Sequence, residues 1–125
     1  IKKYIKHCDM VVTSPPYWSA QNYEQLHMLS MKLFNLEIDN GLEIGRNGKN
    51  YLEDMKAVIE PLAEILSGYF GLVIGHDETN NTHEKLFQVI IDCGFKHVDT
   101  AVRKISNQVS RAKQIKNEYI YLFRI

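Results

Sequence analysis

Short apolar runs alternate along this chain with segments in which apolar residues recur at helical spacing. The first run, residues 9–13, is rich in β-branched side chains and is followed directly by Ser14, Pro15 and Pro16. Proline has no backbone N–H, so a strand cannot continue its pairing through two prolines. The pattern predicts a buried strand, central in its sheet, that ends in a rigid loop at residues 14–17, exposed at the carboxyl end of the sheet.

A helix is predicted from Tyr51 onward. Apolar residues recur there at intervals of three and four, which places the following residues on one helix face: Leu52, Met55, Val58, Ile59, Leu62, Ile65 and Leu66. Asn47 or Asn50 can cap the start of this helix. Pro61 is expected to kink or break it, and Gly68 is expected to end it.

The second half of the chain continues the same alternation. Its predicted elements are a buried strand at residues 69–74, a helix at residues 82–93 that stops at Gly94, and strands at residues 97–105 and 118–125. Residues 18–40 are interpreted as a loop plus a short helix. The order strand, helix, strand, helix, strand, strand predicts an α/β fold, half of a doubly wound Rossmann-like sheet. Ligands of such sheets bind beyond the carboxyl ends of the strands, where the Ser-Pro-Pro loop is predicted to lie.

With 125 residues and 45% hydrophobic content, the chain is long enough for one domain or part of one. It begins at Ile1 without a methionine and ends on an apolar run, so we expect it to be part of a larger protein. No apolar run reaches the roughly 18 residues that span a bilayer, which predicts a cytoplasmic protein. Cys8 and Cys93 are expected to be reduced thiols, and the histidines show no paired ligand spacing, so no metal site is predicted.

The formal net charge is zero, which argues against a protein that holds nucleic acid by a broad electrostatic field alone. Basic residues are concentrated in the stretch from Lys96 to Lys116, which includes Arg103, Lys104 and Arg111 against one acidic residue, Asp99. This stretch is the candidate for contact with phosphate. A solvated basic face remains the alternative.

The main chemical signal is the sequence Ser14-Pro15-Pro16-Tyr17-Trp18 directly after a predicted strand. The lone pair of an aromatic amine is delocalised into the ring, and acceptors that draw the amino hydrogens make the nitrogen a better nucleophile. The Ser14 hydroxyl and the Pro15 carbonyl, which is held by a restricted backbone, offer two such acceptors. Tyr17 offers a flat face on which a base removed from its duplex can stack. The alternative is a proline-rich turn whose aromatic residues pack on the core.

In these residues the chain resembles the DNA methylases that modify exocyclic amino groups, specifically the N4-cytosine branch, whose catalytic loop reads Ser-Pro-Pro-Tyr. The resemblance continues in the family's order through residues 41–45, 51–53, 71–77 and 117–123. It implies a methyltransferase fold, S-adenosylmethionine as cofactor, DNA as substrate and a restriction-modification setting. It also implies catalytic roles for Ser14, Pro15, Pro16 and Tyr17. Trp18, Arg103, Lys104 and Arg111 are the candidates for contact with the substrate.

Two departures separate this chain from that family. Val102-Arg103-Lys104 stands where the family has a tryptophan followed by a lysine, and no Phe-Gly-any-Gly motif is present to hold the cofactor. Residues 1–125 are therefore interpreted as a partial catalytic domain that needs the remainder of the methyltransferase and is inactive alone. Methylation of adenine N6 or of a guanine amine in RNA is an alternative, as is a non-catalytic remnant that serves as a binding module.

Overall fold

The structure is a computed structural model that describes residues 5–16, 32–33, 50–76, 80–105 and 117–125. Within these ranges the helices and strands are β1 Cys8–Thr13, α1 Tyr51–Ile65, β2 Leu66–Gly75, α2 Thr82–Asp92, β3 Lys96–Lys104 and β4 Asn117–Arg124. The α/β class and the order of these elements are those that the sequence predicted. Apart from Lys32 and Leu33, which are helical, the segment at residues 18–40 lies outside the described residues.

The four strands form one sheet in the order β1-β2-β4-β3. β1 and β2 are parallel, whereas β4 runs antiparallel to both β2 and β3. The prediction that the first strand is central and buried was wrong for the described part of the chain, because β1 forms one edge of this sheet. Met10 and Val12 on β1 are 53% and 62% exposed.

Both helices pack against a single face of the sheet, which we call the covered face. Alternation along β2 sends Phe70, Leu72 and Ile74 to this face, and β4 adds Tyr121 and Phe123. The helices contribute further large buried side chains to the core, which are Tyr51, Met55, Ile59, Leu62, Ile65, Leu86 and Ile90. These positions in α1 have the helical spacing that the sequence showed.

The opposite side of the sheet, which we call the open face, carries apolar side chains that the described residues leave exposed. Val12 from β1 and Ile120 from β4 lie on this face, and Ile120 is 39% exposed. An open groove of about 340 Å³ follows it, lined by Met10, Val12, Gly71, Val73, Asp99, Thr100, Ala101, Ile120, Tyr121 and Leu122. The sheet is thus covered by helices on one side only within the described residues.

The two helix-ending signals of the sequence behave differently. Gly94 has a positive φ of 94° just after α2, and its N–H donates to the Ile91 carbonyl at 2.9 Å, as predicted for a helix stop. Gly68 does not end α1, which passes directly into β2 after Ile65. Gly68 lies in β2, where the backbone of β1 approaches so closely that a Cβ atom would overlap the Asp9 carbonyl oxygen.

Two further predictions concern α1. Asn50 lies at its N-cap position, as one of the two predicted candidates, but it forms no side-chain capping hydrogen bond. Its carbonyl accepts the N–H of Asp54 at 2.8 Å. Pro61 does not break the helix, because the buried residues on both sides of it, Ile59 and Leu62, hold both halves against the sheet.

Cys8 and Cys93 are both free thiols. Burial raises the pKa of the Cys93 thiol, and the nearby Glu60 adds to that rise. Neither described helix has the length and apolar character needed to cross a membrane.

Candidate functional site

The carboxyl ends of β1, β2 and β3 lie at the same end of the sheet. We call this end the carboxyl edge, which is distinct from the edge strand β1. Thr13 at the end of β1 pairs with Leu72, so the three residues that follow β1 continue alongside the end of β2. On the other side of β2, Gly75 pairs with Glu118, and Glu118 pairs with Arg103 near the end of β3. The structure therefore brings the Ser-Pro-Pro sequence, the end of β2 and the basic end of β3 to the same edge.

The turn formed by Ser14, Pro15 and Pro16 continues the alternating burial of β1. Ser14 is exposed like Val12, whereas Pro15 is buried and Pro16 is half-buried. The prediction of an exposed loop holds for Ser14 and was wrong for Pro15. The reason is that the alternation of the strand runs on past Thr13 and carries the Pro15 ring to the side on which the helices pack.

The buried side chain of Tyr51 forms a hydrogen bond to this turn. The Tyr51 hydroxyl donates a hydrogen bond to the Pro16 carbonyl at 2.7 Å. Tyr51 is the first residue of α1 and is fully buried, so its hydroxyl reaches the turn from the core. The sequence marked Tyr51 only as the start of a helix. The signal for a further role was available, because a buried tyrosine hydroxyl needs a hydrogen-bond partner.

A pair of histidines lies at the same edge, where the sequence indicated no pairing. His76 follows β2 and His83 lies in the first turn of α2, and their Nδ1 atoms are 3.2 Å apart. Backbone bonding holds His76 in place, since its N–H donates to the Asn117 carbonyl at 2.8 Å. The His83 ring stacks on Tyr119 with a centroid distance of 4.4 Å. The contact depends on the path between β2 and α2, which sequence spacing does not encode.

The electrostatics of this pair favour a neutral His83. Burial lowers the pKa of His83 below its usual 6.5, the nearby His76 lowers it further, and Glu84 opposes the shift. One Nδ1 must carry a hydrogen and the other must accept it, because two bare nitrogens at this distance would repel. Within the described ranges, no group of three or more His, Cys, Asp or Glu side chains is arranged to hold a metal ion.

The basic residues predicted to contact substrate differ in their surroundings. The Arg103 Nε donates to the Glu118 carboxylate at 2.9 Å, and a second guanidinium nitrogen contacts the same oxygen. The Glu118 side chain is only 14% exposed, so Arg103 already has a partly buried counter-charge. Lys104 is exposed one residue further along the same edge.

Three of the predicted site residues, Tyr17, Trp18 and Arg111, lie outside the described residues. Lys96, at the start of the basic stretch, is described but belongs to the opposite edge of the sheet, where it pairs with Arg124. The length of β3 separates it from the Ser14 turn by roughly 25 Å along the strand direction. Of the basic residues on β3, only those near Lys104 share an edge with that turn.

The described residues at this edge do not fit S-adenosylmethionine. Nucleotide-type cofactors in such sheets are held by a glycine-rich turn between a strand and the following helix, where the backbone approaches the ligand closely. β1 is followed by a serine and two prolines, and β2 ends with Gly75 and is followed by His76. Both sequences place side chains or proline rings where such a turn needs open backbone. The described residues at this edge therefore include no glycine-rich turn of the kind that holds such a cofactor.

No protein-family model matches the chain, and no curated protein matches it in sequence. Solved structures do share its fold. Three of them are structures of a proposed DNA modification methylase from Thermus thermophilus: a selenomethionine derivative, a complex with S-adenosyl-L-methionine and a third form. The TM-scores are 0.57, 0.57 and 0.59, and the sequence identities are 17%, 17% and 18%.

The likeness covers 96% of this chain in each case, but only 45%, 46% and 47% of the methylase chain. The chain thus spans about half the length of the methylase that it matches. At this level of identity the likeness shows a common fold.

Proposed function

We propose that this chain is the catalytic-loop part of an S-adenosylmethionine-dependent DNA methyltransferase that modifies the N4 amino group of cytosine. The observation that carries the proposal is the Ser14–Pro16 turn at the carboxyl edge of a sheet whose fold is shared with a proposed DNA modification methylase. Such an edge is where α/β sheets bind their ligands. The serine in first place favours cytosine through the resemblance to the N4-cytosine branch.

In the proposed chemistry the turn binds and orients the target amine. The exposed Ser14 hydroxyl and the carbonyl of Pro15 each accept one amino hydrogen. The Pro15 ring is buried, so the carbonyl attached to it has little freedom to turn. Tyr17 stacks on the base, which has been flipped out of the duplex. Preorganised acceptors of this kind are effective because they need no rearrangement during the reaction.

The proposed contacts to DNA are divided between the flipped base and the phosphate backbone. Trp18 lines the base pocket, while Lys104 and Arg111 contact phosphate. Arg103 is the weaker candidate of the three basic residues, because a phosphate has to compete with the Glu118 carboxylate that it already contacts. The protein acts in the cytoplasm, beside a restriction enzyme with the same target sequence.

The cofactor in this proposal is held by a part of the protein outside this chain. The open face and the outer edge of β1 are the places where that part joins, because the described residues leave the apolar side chains of Met10 and Val12 exposed at both. An unpaired parallel strand with an uncovered apolar face is unusual in a finished α/β domain. The 45–47% coverage of the related methylase supports a missing portion of about the same size.

A second candidate is a non-catalytic remnant that binds DNA without methylating it. The observation that favours it is the lack of any Phe-Gly-any-Gly motif in the sequence. Methylation of adenine N6, or of a guanine amine in RNA, is a third possibility because the same acceptors fit any planar amine. These candidates differ in the product that they form.

The test uses the protein carrying this chain, methyl-labelled S-adenosylmethionine and DNA. Nucleosides from the digested DNA should contain labelled N4-methylcytosine, whereas N6-methyladenine would support the adenine alternative. Single-turnover methylation by Ser14→Ala should be slower by roughly 100-fold to 1,000-fold, because one preorganised acceptor is lost. DNA affinity at fixed salt should change much less, since phosphate contacts provide most of it.

Ser67→Ala is the matched control, because Ser67 is an exposed serine at the opposite edge of the sheet. Tyr17→Ala should also slow the chemical step. DNA binding with no labelled product would favour the remnant. Methylation by Ser14→Ala at the rate of the unmodified protein would reduce the Ser-Pro-Pro-Tyr sequence to a structural turn.

A further inference from the structure

We propose that Tyr51 is a positioning residue for the Ser14–Pro16 turn, a role that rests on the proposed function. Its hydroxyl holds the Pro16 carbonyl and thereby fixes the direction of the adjoining Pro15 carbonyl, the acceptor for the target amine. Tyr51 does not touch the substrate in this role. It acts through the backbone of the turn.

The geometry of the contact suits a fixed anchor. The hydrogen bond from the Tyr51 hydroxyl to the Pro16 carbonyl is 2.7 Å long and joins residues 35 apart in sequence. Tyr51 is 0% exposed, and it stands at the start of α1, whose buried face packs on the sheet through Met55 and Ile59. A ring enclosed in a close-packed core has one orientation, so its hydroxyl reaches the turn at one place.

The Ser-Pro-Pro sequence needs such an anchor because its prolines cannot donate the backbone hydrogen bonds that hold a strand in its sheet. Neither Pro15 nor Pro16 has a backbone N–H, so neither can donate to β2 beyond the last paired residue of β1, Thr13. The proline rings fix the φ angles of the turn but do not fix its position relative to the sheet. The Tyr51 hydroxyl supplies a donor from the core at the point where the strand can no longer donate.

The same bond assigns different roles to the two proline carbonyls. The Pro16 carbonyl accepts from Tyr51, while the Pro15 carbonyl, one peptide earlier, is the acceptor for the amine. The rings fix φ at both prolines and the Pro16 ring restricts ψ at Pro15, so the ψ angle of Pro16 is the main freedom left between the two carbonyls. The bond from Tyr51 to the Pro16 carbonyl restrains that angle and thereby limits the movement of the Pro15 carbonyl, and small misplacements of a reacting group are costly in rate.

The first measurement is the methylation rate of Tyr51→Phe in the protein carrying this chain. Loss of one neutral hydrogen bond that positions the reacting amine should lower kcat by about tenfold, with KM for DNA changed by less than about twofold. Tyr69→Phe is the matched control, because Tyr69 is an exposed tyrosine of the same sheet. It should leave both constants unchanged.

The second measurement reports the hydrogen bond without any methylation. Pro16-Tyr17 is the one Pro-Tyr peptide in this sequence, so labelling proline at the carbonyl carbon and tyrosine at nitrogen marks it selectively for NMR. In Tyr51→Phe the Pro16 carbonyl signal should move upfield, as it does when a carbonyl loses a donor. Replacement of Tyr51 by 4-aminophenylalanine, which keeps a donor at the same place, should restore both the signal and part of the rate.

These outcomes separate the two proposals. A Pro16 signal that does not move in Tyr51→Phe overturns the anchor even if the protein methylates DNA. A signal that moves while kcat stays unchanged shows that the bond exists and overturns its role in positioning. A moved signal, a lower kcat and rescue by 4-aminophenylalanine support the role. If the unmodified protein forms no methylated base, the proposed function and the positioning role that depends on it are both contradicted.

Discussion

The covered and open faces of one sheet contain similar apolar residues in very different surroundings. Phe70 and Leu72 on the covered face are 0% exposed, whereas Met10 and Val12 on the open face are 53% and 62% exposed. Both sets come from strands with the alternation typical of sheets. The difference lies in what the described part of the chain places over them, since α1 and α2 both lie on the covered face.

This difference shows that the described residues build a complete core on one side and an apolar surface on the other. Isolated exposed apolar side chains are normal on proteins, but a continuous strip beside an open groove marks a place of contact. Ser14 lies at the end of that strip, on the same side as Val12 by the alternation of burial. The proposed amine-binding group is therefore next to the surface on which we propose that the cofactor-binding part packs.

The largest expected effect is on the covered face. Phe70→Ala removes a fully buried ring that contacts Phe95 and Phe123, with centroids 5.4 Å and 6.1 Å away. The free energy of unfolding should fall by about 3–5 kcal/mol. Tyr69→Ala, at the neighbouring position on the other side of the strand, should change it by less than about 1 kcal/mol. Equal losses in chemical denaturation would contradict the distinction between the two faces.

A smaller loss is expected where β1 and β2 approach most closely. In Gly68→Ala the new methyl group meets the Asp9 backbone, which must move, so the free energy of unfolding should fall by about 1–3 kcal/mol. In Gly71→Ala the methyl group meets the Val12 side chain at 3.3 Å, and that side chain has room to move on the open face. Gly71→Ala should therefore cost less, which denaturation of the two variants measures directly.

Val12→Thr tests whether another part of the protein packs on the open face. In this chain expressed alone the substitution should change the free energy of unfolding by less than about 0.5 kcal/mol, because Val12 is 62% exposed. In a longer protein whose remaining part covers the open face, the same hydroxyl becomes buried, and the cost should rise to about 1–3 kcal/mol. The same small change in both proteins would mean that nothing packs on Val12.

The smallest expected effect is the change of stability with pH that His83 causes. His83 lies at the carboxyl edge, on the covered face. The pKa of His83 is lowered in the folded protein, first by burial and then by His76, so the unfolded chain binds a proton that the folded chain does not. The stabilising contribution of neutral His83 is complete above its usual pKa of 6.5 and is lost as pH falls below that value toward the folded pKa.

Denaturation of the unmodified protein and of His83→Phe across this pH range measures that contribution. His83→Phe keeps a flat ring against Tyr119 and should lose this part of the acid sensitivity. His97→Gln, on β3, is the control and should retain it, because His83 is still present. An unchanged pH dependence in His83→Phe would mean that protonation of His83 has no influence on stability.

The sequence predicted the local features of this fold and missed the long-range ones. The end of β1 at Ser14-Pro15-Pro16 and the stop of α2 at Gly94 depend on neighbouring residues alone, and both are where the sequence indicated. Gly68 was misread because its role is a close approach to Asp9, which belongs to another strand. The edge position of β1 was missed because strand order is not contained in periodicity.

The candidate site divides in the same way. Its Ser-Pro-Pro sequence was found because adjacent residues carry the chemistry. The bond from Tyr51 to Pro16 and the pair of His76 with His83 depend on how separate elements meet, and intervals in the sequence do not report such contacts. The partial neutralisation of Arg103 was likewise hidden, because Glu118 becomes its neighbour only across two paired strands.

The parallel pairing of β1 with β2 has a kinetic consequence. Cys8 and Leu66 meet only after a loop of about sixty residues has closed, whereas β3 and β4 are joined by a connection of about a dozen, and the longer loop costs roughly 1 kcal/mol more in chain entropy. Folding rates fall as contacts become more distant in sequence. We therefore expect β2, α2, β3 and β4 to assemble early and β1 to join late, so that the strand carrying Ser14 is the last to be ordered when the chain refolds.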